Sequence, residues 1–191
     1  MAVKNNELKN AIFASTYVTV VFSKNVSSGL SFMGFKLPRI QKGDKVRVPR
    51  PLADLLVSRG IAILSEEDTL TLSEINKTAW IELRSDELTK LRPDFYLEVA
   101  RLVKTISEQI SKGDLGVAGL RRLQIVKATA MDIAKCRLNK LLKIVYADPT
   151  PSRKILDLLT PEERELYIKL CELVGSWIES MKTFVEADNN D

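Results

Sequence analysis

The chain has 191 residues, 45% of them hydrophobic and 28% charged, with 29 Lys+Arg against 25 Asp+Glu. That is the composition of a globular protein of one ordinary domain or two small ones, and no stretch is apolar and long enough to span a bilayer. There is no histidine, and the only cysteines, Cys136 and Cys171, stand far apart, which removes the usual general base near neutral pH, the commonest transition-metal ligand, a zinc knuckle and a redox dithiol.

Residues 1–13 are polar and read as loose or briefly helical. Their apolar run is too short for a signal peptide, so the protein is expected in the cytoplasm, away from membranes. Residues 16–22, TYVTVVF, are rich in β-branched and aromatic side chains and read as the clearest strand. A turn cluster follows at 25–29, then a weaker strand at 30–37 interrupted by Gly34. Gly43 and Asp44 make a turn. In residues 45–48, Val46 and Val48 alternate with Lys45 and Arg47, the pattern of a half-buried strand. Pro49 ends its ladder and Pro51 suits the first turn of a helix. Leu52, Leu55 and Leu56 share one helical face, Gly60 is a left-handed stop, and 61–64 form another strand. Residues 69–72 read as a last short strand or the start of a linker.

From Ser73 the apolar period changes from two to 3.6. A short helix over 73–83 carries Ile75 and Trp80. Pro93 opens the next, with an apolar stripe of Phe95, Val99, Leu102, Ile106 and Ile110. Residues 115–146 are the longest helical pattern. Leu120, Leu123, Ala130, Ala134, Leu138, Leu141 and Val145 are its expected inner face, and Gly116 and Gly119 weaken its first turns. Asp148-Pro149-Thr150-Pro151 breaks it, and a short helical turn is expected at 155–159. Thr160-Pro161-Glu162-Glu163 then joins an N-cap Thr, a Pro in first position and a Glu three residues after the cap, so a last helix should run to about 185. The tail, residues 186–191 (EADNND), is acidic and expected to be disordered.

Few constellations could carry catalysis. Gly29 and Gly34 have P-loop spacing, but Phe35 intervenes before Lys36 and no Ser or Thr follows, so the match is a turn. Glu162-Glu163 suits the positive end of a helix dipole, and Glu66-Glu67 lies in a polar loop without metal-ligand spacing. Lys127 falls within the expected apolar stripe; without a second catalytic group beside it, it reads as a snorkelling or paired lysine. No cofactor is expected.

Charge is uneven. Residues 1–72 hold 10 Lys+Arg and 6 Asp+Glu, whereas 73–191 hold 19 of each. The excess gathers at Lys36, Arg39, Lys42, Lys45, Arg47 and Arg50, a contact for an acidic partner or phosphate, or simply a solvated strand edge. Arg121, Arg122, Lys135, Lys140 and Lys143 line the long helix. No aromatic interleaves with them before Tyr146, so a solvated face or pairing with an acidic helix accounts for them better than nucleic acid. The last helix is apolar over a wide arc. Leu166, Leu170, Leu173, Trp177, Met181 and Phe184 form one stripe, and Tyr167, Cys171, Val174, Ile178 and Val185 an adjacent one. A bundle of three long helices would struggle to hide both, which calls for a permanent partner.

The unit KGDKVRVPRPLADLLVSRGIAIL, residues 42–64, resembles the small β-domain of GINS subunits. RPDFYLEVARL at 92–102 and DIAKCRLNKLL at 132–142 are similar to two helical motifs of that family. The small-domain-first order resembles one of two archaeal subunit classes. The expected fold is α+β: a small β-rich docking domain at 1–72, then a helical domain at 73–191 that forms the subunit interface through the Leu166 to Phe184 stripe. The resemblance implies a non-catalytic subunit in a 2:2 heterotetramer with a sister subunit. It also implies that this complex joins an MCM helicase to a RecJ-like protein and activates unwinding, with weak or indirect contact to DNA. Lys42, Lys45, Arg47 and Arg50 are the candidate partner or DNA contacts. The alternative is a stand-alone nucleic-acid-binding module using the same basic strand edge.

Overall fold

The computed structural model describes residues 17–26, 31–32, 35–36, 38–65 and 69–187. The expectations for residues 1–13, Gly29, Gly34, Glu66-Glu67 and the end of the acidic tail fall outside them. The chain divides into two compact units, residues 1–70 and 71–191.

The first unit is built on β1 (Tyr17–Phe22), the middle strand of a three-stranded antiparallel sheet. It pairs on one side with β4 (Lys45–Pro49) and on the other with β5 (Ala62–Leu64). Val18, Val20 and Phe22 alternate into the core, and Val48, paired with Val18, joins them. Lys45 and Arg47 stay on the exposed side. Between β4 and β5, α1 (Arg50–Ser58) has Pro51 in its first turn and buries Leu52, Ala53 and Leu56. Gly60, at φ 63°, closes it, as its N–H reaches Val57 O at 2.9 Å and the Ile61 N–H reaches Leu56 O at 2.9 Å. One expectation changes. In place of a single strand over 30–37 there are two two-residue strands, β2 (Ser31–Phe32) and β3 (Phe35–Lys36), paired with each other. The two strands pair antiparallel, Ser31 with Lys36 and Phe32 with Phe35.

The second unit is helical: α2 (Leu72–Arg84), α3 (Phe95–Ser111), α4 (Gly116–Ala147), α5 (Arg153–Leu156) and α6 (Pro161–Ala187). Residues 69–72 are no strand. Thr71 caps α2 in a reciprocal box: its hydroxyl accepts from Glu74 N at 3.2 Å, and Glu74 Oε2 accepts from Thr71 N at 2.7 Å. Thr160 and Glu163 repeat that box at α6, with Thr160 N donating to Glu163 Oε2 at 3.1 Å.

The long helix α4 packs against α2, α3 and α6. Gly119 lets α3 come close, since a Cβ there would lie 2.9 Å from Ile110 Cγ1. The inner face of α4 differs from the expected one. Val126, Ala130, Ile133, Arg137, Lys140, Leu141 and Val145 are buried, whereas Leu120 and Leu138 are exposed. The face is rotated because two of its inward positions carry charge, which hydropathy patterning assigns to the outside. Lys127 is consequently exposed; the buried lysine of this helix is Lys140.

Candidate assembly surface and the charge cluster beneath it

Arg137 is wholly buried, and all five of its N–H donors are matched. Nε and Nη2 clamp Glu163 at 2.7 and 2.8 Å. Nη1 donates to Glu82 Oε2 at 3.0 Å and to Thr89 O at 2.7 Å, and Nη2 also reaches Leu158 O at 3.2 Å. One turn on, the three Lys140 donors are matched as well, by Glu82 Oε1 at 2.6 Å, Glu82 O at 2.7 Å and Glu87 O at 2.9 Å. The Thr89 hydroxyl donates to Glu82 Oε2, and Tyr96 Oη donates to Glu163 Oε1 at 2.7 Å. Two cations thus face two carboxylates, and the four groups join α2, α4 and α6, with Tyr96 bringing in α3.

Burial alone would push the Glu82 carboxyl up, but the hydrogen bonds from Lys140 and Thr89 and the charge of Arg137 outweigh it and hold it below the usual range. Burial opposes the charge on Arg137 too, yet Glu163 more than compensates and raises its pKa. The Tyr96 phenol is pushed up by burial and by the Glu163 carboxylate. The Glu82 carboxylate, the Arg137 guanidinium and the neutral Tyr96 phenol are therefore each favoured by their fixed surroundings. Such a cluster specifies how helices cross; it offers neither a free base nor a nucleophile.

Glu163 roots α6, and the helix above it has two faces. Tyr167 and Cys171 point inward and are buried with Leu141, Val145 and Leu159. On the other side Leu166, Leu173, Trp177, Met181 and Phe184 are exposed, Leu173 by 67% and Phe184 by 74%; Leu170 is half-buried. From Ser176 to Glu186 no residue of α6 is buried. A helical segment of that length is marginal in water by itself. At its lower end the apolar surface continues onto α4, where Met131, Ala134 and Leu138 line a groove with Leu166 and Tyr96. The outward face of α6 and this groove form one surface with the character of a subunit interface.

Residues 65–182 match the family model Sld5, the helical bundle domain of GINS complex proteins. The chain belongs to the GINS family. It is accordingly a subunit of a DNA replication complex that assembles with other GINS subunits, and such subunits are structural rather than catalytic. No curated protein matches the chain significantly. The matched range covers α2 to α5 and most of α6, so in this GINS subunit the charge cluster and the exposed stripe as far as Met181 lie inside the family domain, with Phe184 just beyond it.

The remaining candidates fall in three places. Lys42, Lys45 and Arg47 are exposed on the small unit. Arg50 is not part of that surface: it is only 3% exposed, and its Nε donates to Asp54 at 3.1 Å one turn later. Of the basic residues of α4, Arg121, Arg122, Lys135 and Lys143 are solvated, while Lys140 belongs to the cluster. Among the described residues no group of three or more His, Cys, Asp or Glu could hold a metal ion, and no helix is long and apolar enough to cross a membrane. Sequence reasoning missed Glu82 altogether. Its signal was available: Glu82 falls at helical spacing from Ile75 and Ala79, on the buried side of α2.

Proposed function

We infer that this chain is a non-catalytic scaffold subunit of GINS, of the archaeal class with the small domain first. It pairs with its sister subunit into a 2:2 heterotetramer that activates the MCM helicase and holds a RecJ-like protein. The observation that carries this reading is the stripe Leu173, Trp177, Met181 and Phe184, exposed on α6, in which no residue from Ser176 to Glu186 is buried. Burying those four side chains against a partner is worth several kcal/mol at about 25 cal/mol per Å². The helical domain, residues 73–191 by the change of period, supplies the interface. The small unit is the docking module, presenting Lys42, Lys45 and Arg47 to an acidic protein partner.

The test is the solution mass of the purified chain, alone and mixed with the sister subunit. The isolated chain should self-associate, and the mixture should give one species with the mass of two copies of each. A well-behaved monomer with no affinity for the sister chain contradicts the reading.

A second reading keeps the small unit as a nucleic-acid contact. It is favoured by the exposure of Lys42, Lys45 and Arg47 close together around one strand. Three cations are a modest footprint, so binding there would be weak and strongly salt-dependent.

A further inference from the structure

The outward face of α2 carries a pattern that the assembly surface does not use. Ile75, Ala79 and Glu82 point inward. On the opposite side Lys77, Trp80 and Arg84 follow one another at i, i+3 and i+7, all exposed. The Arg84 guanidinium lies over the Trp80 ring, 4.5 Å from its centroid, and the indole is still 58% exposed. Leu83, also exposed, stands beside it. The two cations lie about 10 Å apart along the helix.

We propose that this stripe is a contact for single-stranded nucleic acid, in which a base stacks on Trp80 while Lys77 and Arg84 take phosphates on either side. A cation–aromatic–cation row is the chemistry that single-strand binders use. Cation–π stacking with Arg84 fixes the ring and keeps a donor beside it. A purely apolar protein partner would leave Lys77 and Arg84 to be desolvated without partners, whereas a phosphate backbone matches both. Glu74, the nearest acid on the same helix toward its N-terminus, is engaged in the Thr71 capping box. The basic stretches of the small unit and of α4 lack an interleaved aromatic; this helix has one.

The proposal rests on the chain being a replication subunit, but its test is separate. Fluorescein-labelled oligo(dT) of twenty nucleotides is titrated with the complex of the full chain and its sister subunit at low salt, and binding is read by anisotropy. Trp80→Ala should weaken binding about fivefold or more, while Trp80→Phe retains most of it. Lys77→Ala and Arg84→Ala should each flatten the slope of log K against log salt by about 0.7. Circular dichroism and solution mass are measured on every variant, and these exposed positions should leave both unchanged. Equal affinity of wild type and Trp80→Ala for oligo(dT), or no binding by wild type, overturns the proposal. So does Trp80→Ala releasing the sister subunit while DNA binding persists, which would make the stripe a protein contact. Failure of the sister pairing in the wild type would count against the assembly reading instead.

Discussion

Arg137 and Glu163 meet side by side, with two parallel hydrogen bonds of 2.7 and 2.8 Å between guanidinium and carboxylate. One residue sits in the middle of α4 and the other in the first turn of α6, so the pair sets the angle at which α6 leaves the bundle. Three residues beyond Glu163, Leu166 begins the exposed stripe. The buried electrostatics and the exposed apolar stripe are therefore parts of one helix placement.

Removing one side of a buried pair leaves the other charge stranded, at a cost of about 3–5 kcal/mol. Arg137→Met should do this to both Glu82 and Glu163, and should lower the denaturant midpoint sharply or prevent folding. Arg137→Lys, which cannot form the two-pronged contact, should fall between the two. If Arg137→Met unfolds at the wild-type urea concentration, the cluster does not hold the bundle.

Glu82 adds an acid limb to stability. Its folded pKa lies below the ordinary 4.5, so the stabilisation is fully present above that value and is lost as pH falls through the lower folded value. Urea midpoints measured between pH 7 and pH 3 should drop steeply in the wild type below about pH 4.5. Glu82→Gln should be less stable at neutral pH and show a shallower acid decline. An unchanged decline in that variant would place the titration elsewhere.

Much of this architecture is legible in the residues, and the failures have physical causes. The β4–α1–β5 unit is readable because Pro49, Pro51 and Gly60 act through local backbone geometry. The start of α6 is readable for the same reason: Thr160, Pro161 and Glu163 form a cap that depends on nothing distant. Thr71-x-x-Glu74 carries the same signature, which reading 69–72 as a short strand or linker passed over. The inner face of α4 was out of reach. Arg137 and Lys140 are inside only because Glu82 and Glu163, 55 and 26 residues from Arg137 in sequence, close on them in three dimensions. Periodicity sees a helix's own pattern and not the partners that make buried charge tolerable.

The small unit and the helical unit are expected to separate functionally. Deleting residues 1–69 keeps the Thr71 cap of α2, the charge cluster and the whole of α6. The fragment should still pair with the sister subunit, as judged by co-elution. Loss of pairing with a folded fragment would move the interface to the small unit.

Arg47→Glu tests the basic strand edge. Arg47 lies on the exposed side of β4, opposite Val46 and Val48 in the pleat, so the fold should change by no more than about 0.5 kcal/mol. A docking module should lose affinity for a protein partner while sister pairing survives. Tight DNA binding by the chain at physiological salt, abolished by this change, would instead favour the nucleic-acid reading of the small unit.

The central claim is that the outer face of α6 is the sister-subunit interface, and the double variant Leu173→Glu, Trp177→Glu addresses it most directly. Both side chains are more than half exposed in the lone chain, so the variant should fold, with the charge cluster and its acid limb intact. Light scattering after mixing with the sister subunit should show the two chains migrating separately, and the variant chain alone should no longer self-associate. A heterotetramer of wild-type mass and stability from the same mixture would contradict the account.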